Sequence, residues 1–205
     1  YISEQIWRQV VELKKVKPVV VSMGNVAASG GYYISCAANK IIAEPNTLTG
    51  SIGIFGMFPN ASGLFGKLAL TTDIVKTNTF SDLGDLSRPM TESEKALIQG
   101  YVERGYQTFL SRCAEGRGMT TEAVNSIGQG RVWTGEQAKE RGLVDELGGI
   151  ELAISTAAGL ADLDQYSVTT VSGSKNFLDE FLESQLGEVK LSICLLYTSD
   201  AADDK

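Results

Sequence analysis

Residues 2 to 15 place Ile2, Ile6, Val10 and Leu13 at helical spacing with charged residues between them. That is the pattern of an amphipathic helix, and Lys17-Pro18 ends it. Pro18-Val19-Val20-Val21 then runs apolar and β-branched without interruption, as a parallel strand covered on both faces does. The pattern changes over Met23-Gly24-Asn25-Val26-Ala27-Ala28-Ser29-Gly30-Gly31-Tyr32-Tyr33, a small-residue turn leading into a helix lined by Tyr33, Ile34 and Ala37. Lys40-Ile41-Ile42-Ala43 reads as the next short strand and Glu44-Pro45-Asn46 as a turn. From Thr49 to Gly56 glycine alternates with other residues, which predicts a strand interrupted by close backbone approach. A short helix over 61–69, a strand over Leu70 to Lys76 and a loop over Thr77 to Pro89 follow.

Thr91 with Glu94 three residues on forms a capping box that opens a long helix. Ile98, Tyr101, Val102, Tyr106, Phe109 and Leu110 give that helix an apolar face, and Gly116 to Gly118 breaks it. Thr120 starts a shorter helix that Gly128 ends; a strand at Arg131-Val132-Trp133 and helices near 135–141 and 149–160 come next. Tyr166 to Val171 reads as one further strand, and Phe177, Phe181, Leu182 and Leu186 as a weak amphipathic helix. Strands alternating with helices make this an α/β chain with parallel pairing. The helix over 2–15 feeds a buried parallel strand with no strand before it, so a preceding βα half-unit is expected outside the sequence.

Composition narrows the classes. The 205 residues are 43% hydrophobic, enough for one sizeable core. A net charge of -7 without a long Lys/Arg run argues against nucleic acid as a partner. Cys36, Cys113 and Cys194 stand too far apart in sequence for a metal-ligand pair or an obvious disulfide framework, and Cys36 is expected to pack in the helix after Ser29. There is neither a Gly-rich phosphate loop nor a metal-ligand cluster, so no cofactor is implied.

The chemistry centres on Ser29. A serine at the start of a helix has outward-pointing backbone N–H groups beside its hydroxyl, and the positive end of the helix favours charge on an attacked carbonyl oxygen. Gly30 would supply one such donor. The plainer alternative is that Ser29 only caps the helix. The chain contains no histidine, which removes Ser-His-Asp and Cys-His arrangements. A reacting serine would therefore need a desolvated lysine as base, or a base from elsewhere.

Ala27-Ala28-Ser29-Gly30-Gly31-Tyr32-Tyr33-Ile34-Ser35, Asn39-Lys40-Ile41 and Thr47-Leu48-Thr49-Gly50-Ser51-Ile52-Gly53, continued by Gly130-Arg131-Val132-Trp133-Thr134-Gly135 and Gly142-Leu143-Val144-Asp145, resemble the signal peptide peptidase A family of serine proteases. The similarity covers roughly residues 1 to 160. It implies the Clp protease/crotonase-like fold, truncated at the amino end, over a peptidase domain at 1–190. Residues 191–205 share nothing with the family and are taken as a foreign tail. The resemblance further implies Ser29 as nucleophile, Gly30 as oxyanion-hole donor and Ser51 as the serine that orients a lysine base.

In single-domain members that lysine precedes an Arg-x-Met-Thr run, here Arg88-Pro89-Met90-Thr91; the aligned position is Ser81, and Thr77 to Ser87 holds no lysine. Lys76 is nearest and reads as a solvated charge. The chain thus resembles the carboxy-terminal half of tandem-domain members, whose amino-terminal half supplies the lysine. The implied partners are peptide substrates such as signal peptide remnants, that amino-terminal half, and further copies in a homo-oligomer. The implied location is the external or periplasmic face of a bacterial cytoplasmic membrane, through an anchor outside the chain. A crotonase-type acyl-CoA enzyme and a catalytically inactive assembly domain are the competing readings.

Overall fold

The computed structural model describes residues 1–171. Residues 1–164 form one compact unit; of a second, 165–205, only 165–171 are described, and these are exposed and carry neither helix nor strand. The strand expected at Tyr166 to Val171 is therefore absent. The helix expected near 177–186, the domain end at 190 and the tail fall outside the described residues.

The first unit is α/β, as its alternating pattern requires. Helix α1 (Ile2–Lys14) precedes strands β1 (Val20–Met23) and β2 (Val26–Ala28), helix α2 (Gly30–Ser35), and strands β3 (Lys40–Ala43) and β4 (Leu48–Gly50). Helices α3 (Ser62–Lys67), α4 (Glu92–Arg117) and α5 (Thr121–Ile127) follow, then β5 (Val132–Thr134), α6 (Gly135–Glu140), β6 (Glu146–Leu147) and α7 (Ile150–Leu160). One sheet has the order β1-β3-β6, parallel throughout, with Val20 opposite Lys40 and Ile42 opposite Glu146. The other, β2-β4-β5, pairs β2 and β4 parallel and β4 and β5 antiparallel.

The core lies where α1, α2 and α4 meet the first sheet: Trp7, Tyr32, Cys36, Ile41, Phe109, Leu110, Cys113 and Leu143 are buried together. A fully buried Ile or Leu side chain contributes about 1.5–3 kcal/mol. Helix α1 turns a different stripe inward from the one its spacing suggests. Trp7 is buried with Val10 and Val11 packed behind it, whereas Ile2, Ile6 and Leu13 are exposed. The indole has the largest apolar surface on that helix, and its burial outweighs three smaller side chains. Arg112 stacks over the same indole at 3.9 Å.

Three further strand expectations need correction. The apolar run Pro18–Val21 pairs two residues later than its composition suggests, as Val20–Met23, because Asn39 Oδ1 takes the Val19 N–H. The strand expected from Thr49 to Gly56 stops at Gly50, since Gly50 and Ser51 adopt φ of 77° and 49°. Leu70 to Lys76 pairs with no strand among the described residues, and Val75 is 96% exposed. Strands β2 and β6 have no counterpart in the sequence pattern: β2 hides in the small-residue turn, and β6 has only two residues.

Helix α4 is held at both ends. Its capping box forms, with the Thr91 hydroxyl accepting from the Glu94 N–H and the Glu94 carboxylate accepting from the Thr91 N–H. Arg88 Nη2 donates to the same carboxylate at 2.5 Å, and Glu94 is buried. At the far end Arg117 Nη1 donates to Asp145 at 3.0 Å, and Asp145 also accepts the Ile41 N–H at 2.7 Å. On the apolar face, Phe109 and Leu110 are buried as expected, but Tyr101 is 72% exposed. Cys36 lies just past the end of α2, wholly buried, its thiol bonded to the carbonyls of Tyr33 and Arg112, so the Cys113 thiol is its neighbour in space; both are free.

Candidate active site

The site forms where two parallel strands end side by side. Ala28 of β2 pairs with Gly50 of β4, so Ser29 and Ser51 are the next residues on neighbouring strands, which run about 4.8 Å apart. Carboxyl ends of parallel strands are where α/β folds present their functional groups.

Ser29 occupies φ 52°, ψ −115°, a conformation that an L-residue enters only at a cost of about 1–3 kcal/mol. The neighbours enforce it. Its N–H donates to Gly50 O at 2.9 Å and its carbonyl accepts the Tyr33 N–H at 2.8 Å. The hydroxyl makes no capping bond to α2 and the residue is exposed. The simple N-cap alternative therefore fails, and the turn has the form of a strained strand-to-helix elbow that lifts a serine into solvent. Gly30 is the first residue of α2, where a backbone N–H has no carbonyl four residues back to bond.

Ser51 is strained in the same sense, with φ 49°, and its N–H donates to Arg131 O at 2.8 Å. Gly50 before it has φ 77°, and a Cβ there would lie 2.9 Å from the Trp133 ring, so only glycine fits. Gly130 N–H donates to Ile52 O at 2.9 Å, and a Cβ on Gly53 would sit 2.7 Å from the Gly130 backbone.

Two cavities open at Ser29. One of about 410 Å³ is lined by Ser29, Ser51, Ile54, Val102, Tyr106 and Gln129. The other, about 520 Å³, is lined by Ser29, Gly30, Tyr33, Ile54, Tyr101 and Phe109. Glu4 also borders the second cavity. Burial works to raise its carboxyl, but the Arg112 ion pair at 2.7 Å and the Tyr33 hydroxyl outweigh this and hold it below the usual carboxylate range. Burial, and then the bond to Glu4, push the Tyr33 phenol well above its ordinary value. Across the neutral range Glu4 is thus ionised and Tyr33 neutral.

The structure brings Ser29, Gly30 and Ser51 together. Among the described residues, no lysine lines either cavity. Lys76 Nζ donates to Asp82 at 2.8 Å and lies in neither cavity, in keeping with a surface charge. Ser81 is exposed in the turns of 77–87 and also lies in neither. Among the described residues no three side chains of His, Cys, Asp or Glu come together as a metal site, and no helix is long and apolar enough to cross a membrane. Sequence reasoning missed Tyr106 and Gln129. The glycine spacing of Gly128-Gln129-Gly130 was the available signal, because it marks a left-handed turn: Gln129 and Gly130 have φ of 58° and 77°.

Comparison with known proteins places the chain in a family. The pattern of Peptidase family S49 matches residues 11–164. The chain is 41% identical over 174 residues to Protease 4 of Salmonella typhi, covering 85% of this chain and 28% of that protein. It is 38% identical over 162 residues to the chloroplastic serine protease SPPA of Arabidopsis thaliana, covering 78% and 24%. Protease 4 of Haemophilus influenzae is 40% identical over 166 residues, 80% of this chain and 27% of that one. The chain spans about a quarter of the length of these curated relatives. An enoyl-CoA hydratase/isomerase family protein from Hyphomonas neptunium, 19% identical over 76% of this chain and 42% of that one, superposes with a TM-score of 0.38, too loosely to bear on fold or reaction. The chain belongs to peptidase family S49.

Proposed function

We propose that this domain is a serine endopeptidase of the Ser-Lys type whose lysine comes from a segment outside the chain. The observation that carries the reading is Ser29: a non-glycine residue held at φ 52° with its hydroxyl uncapped and two cavities beside it. Backbone strain of this kind clusters at functional sites. In the reaction, Ser29 Oγ attacks the peptide carbonyl carbon and its proton passes to the neutral lysine amine. The resulting oxyanion is met by the Gly30 N–H at the positive end of α2. Collapse breaks the C–N bond, and the lysine ammonium returns the proton to the leaving amine. Water then hydrolyses the acyl-serine with the lysine as base. Ser51, one residue past the paired Gly50, orients that amine.

Apolar walls around Ser29, with Ile54, Val102 and Phe109 among them, suit extended apolar peptides such as signal peptide remnants. The proposed setting is a homo-oligomer at the external face of a bacterial cytoplasmic membrane, with the lysine given by an amino-terminal half of the longer protein. The test joins that half to this one and measures hydrolysis of an apolar peptide. Ser29→Ala is expected to abolish turnover with melting unchanged. The chain alone is expected to be slower by about 10²–10⁴, the usual worth of general-base assistance. Turnover retained in Ser29→Ala overturns the mechanism, and brisk Ser29-dependent cleavage by the chain alone overturns the external base.

A further inference from the structure

Tyr106 lies on α4, remote in sequence from both serines, yet it borders the cavity they share. Its hydroxyl is fully used: it donates to Asn125 Oδ1 at 2.7 Å and accepts the Gln129 N–H at 3.0 Å. That second bond fixes a turn of two consecutive left-handed residues, Gln129 and Gly130. Such a turn holds only where its surroundings over-determine it, and for Gln129 the cost is of the same kind as for Ser29. The next polar groups along the turn go straight to the site. Gly130 N–H donates to Ile52 O, and Arg131 O accepts the N–H of Ser51. Gly128 completes the fit, because a Cβ there would approach the Tyr106 oxygen to 3.1 Å.

We propose that Tyr106 is a positioning residue for the reaction: its hydroxyl pins the Gln129–Gly130 turn, and the turn holds Ser51 at its positive φ beside Ser29. This rests on the reading of Ser29 and Ser51 given above. The phenol touches no reacting atom and acts through Ser51. A serine hydroxyl that donates to a neutral lysine amine favours the neutral form and lowers its pKa. Loosening Ser51 therefore slows proton transfer and moves the rising limb of the rate to higher pH.

The experiment uses the longer protein with its lysine-bearing half. Tyr106→Phe keeps the ring and deletes only the oxygen; Asn125→Ala loosens the same phenol from its other side and serves if the first variant folds poorly. Amide exchange is expected to quicken roughly tenfold at Ser51 and Gly130, the scale of one lost hydrogen bond, and to stay unchanged at Ile41. The value of kcat is expected to fall roughly tenfold on the same grounds, with KM little altered and the pH profile displaced upward. In a Ser51→Ala background the same substitution is expected to have almost no further effect on kcat, because the two act as one unit. Unchanged exchange at Ser51 overturns the proposal, as does a kcat loss of equal size with and without Ser51, or faster exchange with kcat intact. Should Ser29→Ala retain turnover, it is the reading of Ser29 that fails, and the exchange data still report whether Tyr106 holds Ser51.

Discussion

The strand ends that carry Ser29 and Ser51 and the segment from residue 54 to 90 are neighbours in sequence but opposites in construction. Around the serines the backbone groups at the bend are tied to named partners, and glycines at 50 and 53 let neighbouring segments approach closer than a side chain there would allow. From residue 54 to 90 no residue is buried: α3 buries nothing, and Phe55 is 88% exposed. What fastens that segment is polar. Arg88 donates to Asp82 and to Glu94, and Lys76 joins Asp82. Ser29 and Ser51 hold positive φ where close packing and hydrogen bonds over-determine the chain, whereas Ala69, with φ 55°, does so on an exposed surface just past the end of α3.

The largest break in this contrast is expected from Gly53→Ala. Its new Cβ meets the Gly130 backbone at 2.7 Å, which nothing flexible can relieve, so a loss of about 1–3 kcal/mol in unfolding free energy is expected. Denaturant titration measures it, and peptide turnover should fall with it because Gly53 borders both cavities.

A smaller effect is expected at the polar fastening. The Arg88 guanidinium, then the Thr91 N–H, hold the Glu94 carboxyl down to about 2. The folded value thus lies below the unfolded value of about 4.3. Glu94 therefore stabilises the fold above that pH, and its contribution is lost as pH falls through about 2. Glu94→Gln should lower the melting temperature near neutral pH, and the gap to the unaltered protein should close over that acid window. A gap independent of pH would show that the carboxylate charge is not what fastens the loop.

The smallest effect has the opposite sign. Gly66 lies inside α3, and a Cβ added there would meet no atom within 4 Å, so Gly66→Ala is expected to stabilise by about 0.4–1 kcal/mol through the unfolded chain. Alanine at 53 and at 66 thus sharpen the comparison from both sides by thermal melting.

Much of this was legible in the sequence, for reasons that separate the two regions again. Caps and period exposed the helices: Thr91 with Glu94 marked the start of α4, and Gly118 its left-handed stop. Ser29 and Ser51 stood out through their small-residue surroundings and the family likeness. What escaped depends on contacts distant in sequence. Trp7 outweighs Ile2 and Ile6 only because α2 and α4 offer it a pocket, and β6 is a strand only because β3 lies beside it. The run Leu70 to Lys76 has a strand's composition but no partner among the described residues, and composition does not report partners. Tyr106 reads as one more apolar position on a helix face, and its role as a hydrogen-bond hub depends on a turn more than twenty residues on.

Cys36 and Cys113 meet in the core with no exposed surface. The Cys36 thiol beside it and burial push the Cys113 thiol far above its ordinary value, so the thiolate that oxidants and alkylating agents attack does not form while the core is closed. Oxidation of these two buried sulfur atoms is therefore expected to wait on opening of the core, and its rate to follow how often the core opens.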